Sequence, residues 1–168
     1  KATKAKAIIE LEDIVKKERF QPEARHALAE LALSVRDWEW ALRHSRNVLL
    51  GDPGNVNAYL NMAVAYYRQR RFDQAFLILK QAMERAPKAA SLHNMKGLVY
   101  LAKDNSRLAS ESFMKAINYD PSQLDALINL ASLELSYGDF VSAEKRFKKV
   151  LEKRPNDPNV VLSYAVVM

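Results

Sequence analysis

An all-α fold, assembled as a stacked array of helical repeats, is predicted by three features of this 168-residue sequence. Pro53, Pro87, Pro121 and Pro155 stand 34 residues apart. Ala41, Ala75, Ala109 and Ala143 keep the same step, each twelve residues ahead of its proline. Small residues at Ala29, Ala63, Gly97 and Ala131 repeat it again, as does an apolar ladder at Val48, Ala82, Ala116 and Val150. Independent residue types sharing one period of this length mark a chain whose repeats bury their apolar faces on their neighbours rather than in one central core.

Composition narrows the class. With 49% hydrophobic and 27% charged residues, the chain can bury a core and is not a disordered tail. Its apolar runs fall far short of the roughly 18–20 residues a membrane-spanning helix needs. No charged start followed by an apolar run and a small-residue cleavage site is visible, so no export signal is read. The absence of cysteine excludes disulfides, thiolate metal sites and a cysteine nucleophile. We therefore expect a soluble protein, of the cytoplasm or a bacterial periplasm. It starts at Lys1, partway through a repeat, which points to a piece of a longer protein.

The whole period is visible in residues 55–89, NVNAYLNMAVAYYRQRRFDQAFLILKQAMERAPKA. These residues resemble the tetratricopeptide repeat (TPR) family, whose unit is a pair of antiparallel helices ending near a proline. The resemblance covers nearly the whole chain and implies one right-handed α-solenoid of helix-turn-helix repeats, with a concave face and a role in holding other proteins. Four full units fit residues 22–55, 56–89, 90–123 and 124–157, with half units at 1–21 and 158–168.

Each element has a local reason. Ala7, Ile8, Leu11, Ile14 and Val15 share one helical face and form the second helix of an earlier unit. Gln21 and Pro22 open a helix running through Val35, since proline suits a first helical turn. Arg36 and Asp37 turn the chain, and Trp38 starts the second helix. Phe72 and Phe140 match Trp38, where a large ring can fill the wedge between paired helices. Ser106 departs from this pattern. There the turn LAKDNSRL reads one residue longer and the loop between Pro87 and Asn94 one shorter, leaving two registers for the third unit's first helix. One aligns Gly97 and Tyr100 with Ala63 and Tyr66; the other turns Leu92, Met95 and Val99 to the core, with Lys96 in the small-residue place. Gly97 favours the first. Small residues at the repeated positions suit helix axes 8–10 Å apart, and the prolines stop each second helix. Residues 158–168 begin a further unit whose Val161, Leu162, Tyr164, Ala165, Val166 and Val167 have nothing to cover them, so end-to-end self-association through this segment is expected.

No chemistry of catalysis emerges. His26, His44 and His93 are not spaced as helical metal ligands and lack cysteine partners, so they read as polar helix residues and no metal is expected. Phosphate-cradling and nucleophile motifs are absent, and no cofactor is predicted. Lys145, Arg146, Lys148, Lys149, Lys153 and Arg154 crowd one helix, with Glu144 and Glu152 among them. Arg68, Arg70 and Arg71 form a shorter basic group at a turn. A solvated outer face is the favoured reading of the net charge of +6; docking of acidic protein, nucleic acid or lipid headgroups is the alternative.

The resemblance implies that the first helix of each unit lines the concave face. The positions carried over are Glu23, His26, Ala27, Glu30, Leu33 and Ser34; Asn57, Leu60, Asn61, Val64, Tyr67 and Arg68; Ser91, Asn94, Met95, Leu98, Leu101 and Ala102; and Asp125, Ile128, Asn129, Ser132, Leu135 and Ser136. Leu60, Val64, Leu98, Leu101, Ile128 and Leu135 make an apolar groove fit for a partner's peptide segment or helix. Asn61 and Asn129 occupy equivalent places, where an amide can grip a peptide backbone or serve the repeat's own structure. The family's clamp for a chaperone's terminal carboxylate is disfavoured, because of the residues at its places only Asn61 matches and Glu30 would repel the ligand. Glu23 and Glu30 could instead welcome a basic segment. The expectation is a non-enzymatic scaffold or adaptor within a multiprotein complex, with a bacterial envelope-assembly factor as one setting. The alternatives are the substrate-recruiting arm of a larger enzyme and a charge-driven adaptor for nucleic acid or membrane surface.

Overall fold

The computed structural model describes residues 2–17 and 21–168; Lys1 and residues 18–20 of the expected first half unit lie outside the described residues, as does the side chain of Ala7. The described residues form ten α-helices and no strand: α1 (Ala2–Lys17), α2 (Pro22–Ser34), α3 (Trp38–Gly51), α4 (Val56–Arg68), α5 (Phe72–Arg85), α6 (Ala90–Ala102), α7 (Ser106–Tyr119), α8 (Leu124–Ser136), α9 (Phe140–Leu151) and α10 (Pro158–Val167). They fall into two compact units, Lys1–Pro87 with α1–α5 and Lys88–Met168 with α6–α10.

The first helices α2, α4, α6 and α8 begin 34 residues apart, and so do the second helices α3, α5, α7 and α9. One turn joins every pair. Arg36, Arg70, Asp104 and Gly138 each take a left-handed backbone, with φ of 63°, 59°, 58° and 78°. The residue after each one donates its N–H to a carbonyl five residues back, as Asp37 does to Ala32 at 2.9 Å and Asn105 to Tyr100 at 3.0 Å. These reversed bonds satisfy carbonyls that the helix end leaves open. Asp37, Asn105 and Asp139 then cap the following helix, their side chains accepting from the N–H of Trp40, Leu108 and Ser142 at 3.0–3.1 Å.

The third turn is therefore not longer than the others, contrary to the sequence reading. Asp104 takes the left-handed place and Asn105 the cap, so Ser106 starts α7 on the common step. The polar run there is turn chemistry, not an insertion. In α6, Gly97 lies in step with Ala63, yet Leu92, Met95 and Val99 are buried too. This helix buries a face broader than one stripe, which is why both registers looked plausible. His93 and Lys96 stay half-buried, the first against the Tyr119 ring and the second with its Nζ 5.6 Å from the centre of the Tyr100 ring.

Packing follows the repeated small residues. Ala29, Ala41, Ala63 and Ala75 in the first unit, and Ala109, Ala131 and Ala143 in the second, are all wholly buried. At Gly97 an added Cβ would stand 2.4 Å from the Phe113 ring, so this crossing has no room even for a methyl group. The wedge expectation holds in part. Trp38 and Phe72 are half-buried, and Phe72 meets Tyr67 at a ring separation of 5.9 Å, but Phe140 is 50% exposed. The helices α3, α5 and α7 end two residues before Pro53, Pro87 and Pro121. Asp52, Ala86 and Asp120, just ahead of those prolines, are drawn out to φ of −131° to −141°.

In α10, Val160 is buried, and Tyr164 and Val167 pack against the cluster of Leu127, Ala131, Phe147 and Val150. These two are therefore not uncovered, as the sequence suggested. Val161, Leu162, Val166 and Met168 remain exposed.

Candidate functional site

In the first unit the expected inner-face residues stand on α2 and α4. The Asn61 side-chain amide nitrogen lies 3.2 Å from His26 Nδ1, which accepts from it in the tautomer that carries its proton on Nε2. That nitrogen faces Glu30 Oε1 at 3.3 Å. Glu30, expected to be free to attract a basic ligand, is thus engaged by the histidine beside it. Leu60, Val64 and Tyr67 are half-buried, and Arg68 is exposed. Past the ends of α2 and α4, a cleft of about 570 Å³ is lined by Leu33, Ser34, Arg36, Trp38, Val64 and Arg68.

In the second unit the Asn129 amide donates to Asn94 Oδ1 at 2.8 Å. The two pairs, 26 with 61 and 94 with 129, are each 35 residues apart, one more than the period. The same lateral bond therefore ties neighbouring first helices in both units. Asn61 and Asn94 retain only 8% and 9% exposure, which limits what their amides can offer a ligand. Leu98, Ile128 and Leu135 are half-buried, packed partly onto the core, while Leu101 is 37% exposed. Met95, carried over to the concave face, is buried in the core instead.

The charges are partly committed. The Arg146 Nε–H is shared between the two carboxylate oxygens of Glu134, each at 2.8 Å, and Arg154 reaches Asp125 at 3.2 Å. Of the shorter basic group, Arg71 stacks on the Tyr66 ring at 4.9 Å. His44 is buried edge-on against Trp40, and among the described residues its Nδ1 has no hydrogen-bond partner. Burial, aided by the Arg43 and Arg25 charges, lowers its pKa to about 4. Among the described residues no cluster of three or more His, Asp or Glu side chains could hold a metal ion.

Sequence reasoning singled out the asparagines but missed His26 as a partner, although the spacing of one period plus one residue was readable. It also missed the joint lining of one cleft by Arg36, Trp38 and Arg68, for which no spacing rule exists.

Comparisons with known proteins agree with this architecture. Tetratricopeptide repeat models match residues 32–99 and 90–123. The crystal structure of TTC0263, a thermophilic TPR protein in Thermus thermophilus, superimposes with a TM-score of 0.82 at 28% identity, covering 95% of this chain and 88% of that one. Protein O-mannosyl-transferase TMTC3 of Homo sapiens is 25% identical over 118 residues, 69% of this chain. Type IV pilus assembly protein PilF of Pseudomonas aeruginosa is 26% identical over 97 residues, 58% of this chain. The chain spans only 13% of the length of the first of these relatives and 36% of the second.

Proposed function

Since the chain belongs to the tetratricopeptide repeat family, we propose that it is a non-enzymatic scaffold whose first-helix faces hold a peptide segment or helix of a partner protein. The observation that carries this reading is the row of half-exposed apolar side chains beside the lateral amide bonds. Leu60 and Val64 flank the His26–Asn61 pair, and Leu98, Leu101 and Ile128 flank Asn94–Asn129. The bonds hold neighbouring helices at one spacing, so the apolar side chains between them are preorganised, and little ordering cost remains when a ligand docks. Apolar surface that the repeat does not need for its own core is what a partner can bury.

An affinity capture from native lysate, run beside a Leu60→Asp, Leu101→Asp double variant of unchanged helicity, tests this. Specific proteins kept by the parent and lost by the variant support the inner faces. The same set kept by both would move binding elsewhere.

Two further readings each have an observation behind them. The similarity to a mannosyltransferase favours a substrate-recruiting arm of a larger enzyme, and an assay of the full reading frame for transferase activity decides it. The exposed Val161, Leu162, Val166 and Met168 on α10 favour self-association; a concentration-independent monomer mass by light scattering would refute it. A charge-driven adaptor for nucleic acid or a membrane surface would instead lose affinity steeply with salt. No described helix is long and apolar enough to cross a membrane.

A further inference from the structure

We propose that the cleft at the ends of α2 and α4 is a docking pocket for an acidic segment. One apolar side chain of the ligand rests on Leu33, Trp38 and Val64, and flanking Asp or Glu carboxylates meet Arg36 and Arg68. The proposal rests on the protein-scaffold reading and specifies a ligand chemistry for its first unit.

Three observations carry it. The lining combines apolar surface with two exposed arginines and no carboxylate, and among the described residues neither arginine has an ion-pair partner. Guanidinium groups left unpaired beside an aromatic surface are suited to carboxylates, which they can grip through two parallel N–H bonds. Second, Arg36 holds a left-handed backbone with φ of 63°, as Arg70, Asp104 and Gly138 do in the equivalent turns, so the common turn fixes where its side chain leaves the chain beside Arg68. Third, the lining is not a requirement of the repeat. The residues in step with Arg36, Trp38, Val64 and Arg68 two repeats later are Asp104, Ser106, Ser132 and Ser136, and the turn there has the same geometry. One repeat later Arg70, Phe72, Leu98 and Ala102 stand in these places, so an arginine and a ring recur there and the second cation does not.

Fluorescence anisotropy with a fluorescein-labelled, acetylated and amidated peptide GDELFDEG tests the pocket. The comparison probes are GKKLFKKG, GDESSDEG, an apolar peptide whose only carboxylate is its free C-terminus, and a short oligothymidylate. The expected result is binding of GDELFDEG ahead of every other probe, about tenfold weaker in an Arg36→Glu, Arg68→Glu variant that now prefers GKKLFKKG. Trp38→Ala should weaken binding similarly, and Val141→Asp, at an exposed place in the other unit, should leave it unchanged. Far-UV circular dichroism checks the fold, and the milder Arg36→Gln, Arg68→Gln pair must show the same direction of loss.

The proposal is overturned if GDELFDEG does not bind, or if its affinity survives the reversal of both arginines. Preferred binding of the free C-terminal carboxylate or of the oligonucleotide overturns it equally. A partner captured through Leu60 and Leu101 but indifferent to the arginine variants would end this pocket and leave the scaffold reading standing. GDELFDEG binding with no effect of the Leu60→Asp, Leu101→Asp lesion on capture would do the reverse.

Discussion

Replacing Gly97 with alanine sets two effects of opposite sign against each other. Alanine in a helix interior is favoured over glycine by about 0.5–1 kcal/mol, because the unfolded chain loses freedom. Against this, the new methyl carbon would stand 2.4, 2.5 and 2.9 Å from three atoms of the Phe113 ring, where carbon atoms are comfortable at about 3.5–4.0 Å. The ring would have to retreat by about 1 Å. It cannot do so freely, because Phe113 is wholly buried among Ala109, Leu130 and Leu133. Overpacking of this kind costs about 1–3 kcal/mol, and the severity of the overlap argues for the upper part of that range. The net expectation is a loss of about 1–2 kcal/mol. For a chain of this size that lowers the melting temperature by roughly 2–4 °C per kcal/mol, measurable by far-UV circular dichroism or urea denaturation. A Phe113→Leu change should relieve the clash, so the two substitutions together should cost at least about 1 kcal/mol less than their sum. A melting temperature for Gly97→Ala equal to or above the parent's would refute the reasoning. It would mean that α6 and α7 can move apart enough to seat the methyl group.

Other consequences are open to measurement. The lowered pKa of His44 means that the unfolded chain binds a proton the folded chain resists, so stability should be full above pH 6.5 and fall as pH drops toward 4. The loss should total about 2–3 kcal/mol, and a His44→Leu variant whose denaturation midpoint keeps the same pH dependence would contradict it. Asp104→Gly should raise stability by about 0.5 kcal/mol, because glycine takes φ of 58° without strain and gives back only part of that gain in unfolded-chain entropy; a lower denaturation midpoint would count against it. Asn94→Ala should cost about 1 kcal/mol by stranding the Asn129 amide, and a double-mutant cycle of the pair should return a coupling of about 0.5–1.5 kcal/mol. A coupling near zero would show that the lateral bond contributes nothing.

Much of the helical order was legible because it depends on short-range rules that repeat. Alanine at 29, 63 and 131 and glycine at 97 announce close helix crossings, and they are buried where the period places them. Pro53, Pro87 and Pro121 end their helices through the geometry of the residue before them, a constraint contained within two residues, whereas α9 stops at Leu151, four residues ahead of Pro155. The errors arose where one residue had two local roles. Asp104 and Asn105 were read as an extra turn residue, although a left-handed aspartate followed by a capping asparagine is the same turn that Arg36 with Asp37 and Gly138 with Asp139 make. Phe140 shares the step of Trp38 and Phe72 yet stays 50% exposed, because a shared position does not by itself fix how deeply a ring is buried.

The candidate site was legible only as a set of positions. That Leu60, Leu98, Leu101 and Ile128 lie on the first-helix faces was what the family resemblance implied, while the sequence alone determined the repeat length and the helix type. Tertiary structure decided what the polar residues do. His26 and Asn61, and Asn94 and Asn129, meet across neighbouring first helices because those helices pack side by side, one period and one residue apart. Arg36, Trp38 and Arg68 share a cleft because the end of α4 is brought beside the turn after α2. Helix periodicity is written into each segment by the chemistry of neighbouring residues. The distance between side chains on separate helices is set by how those helices pack, and no local pattern encodes it.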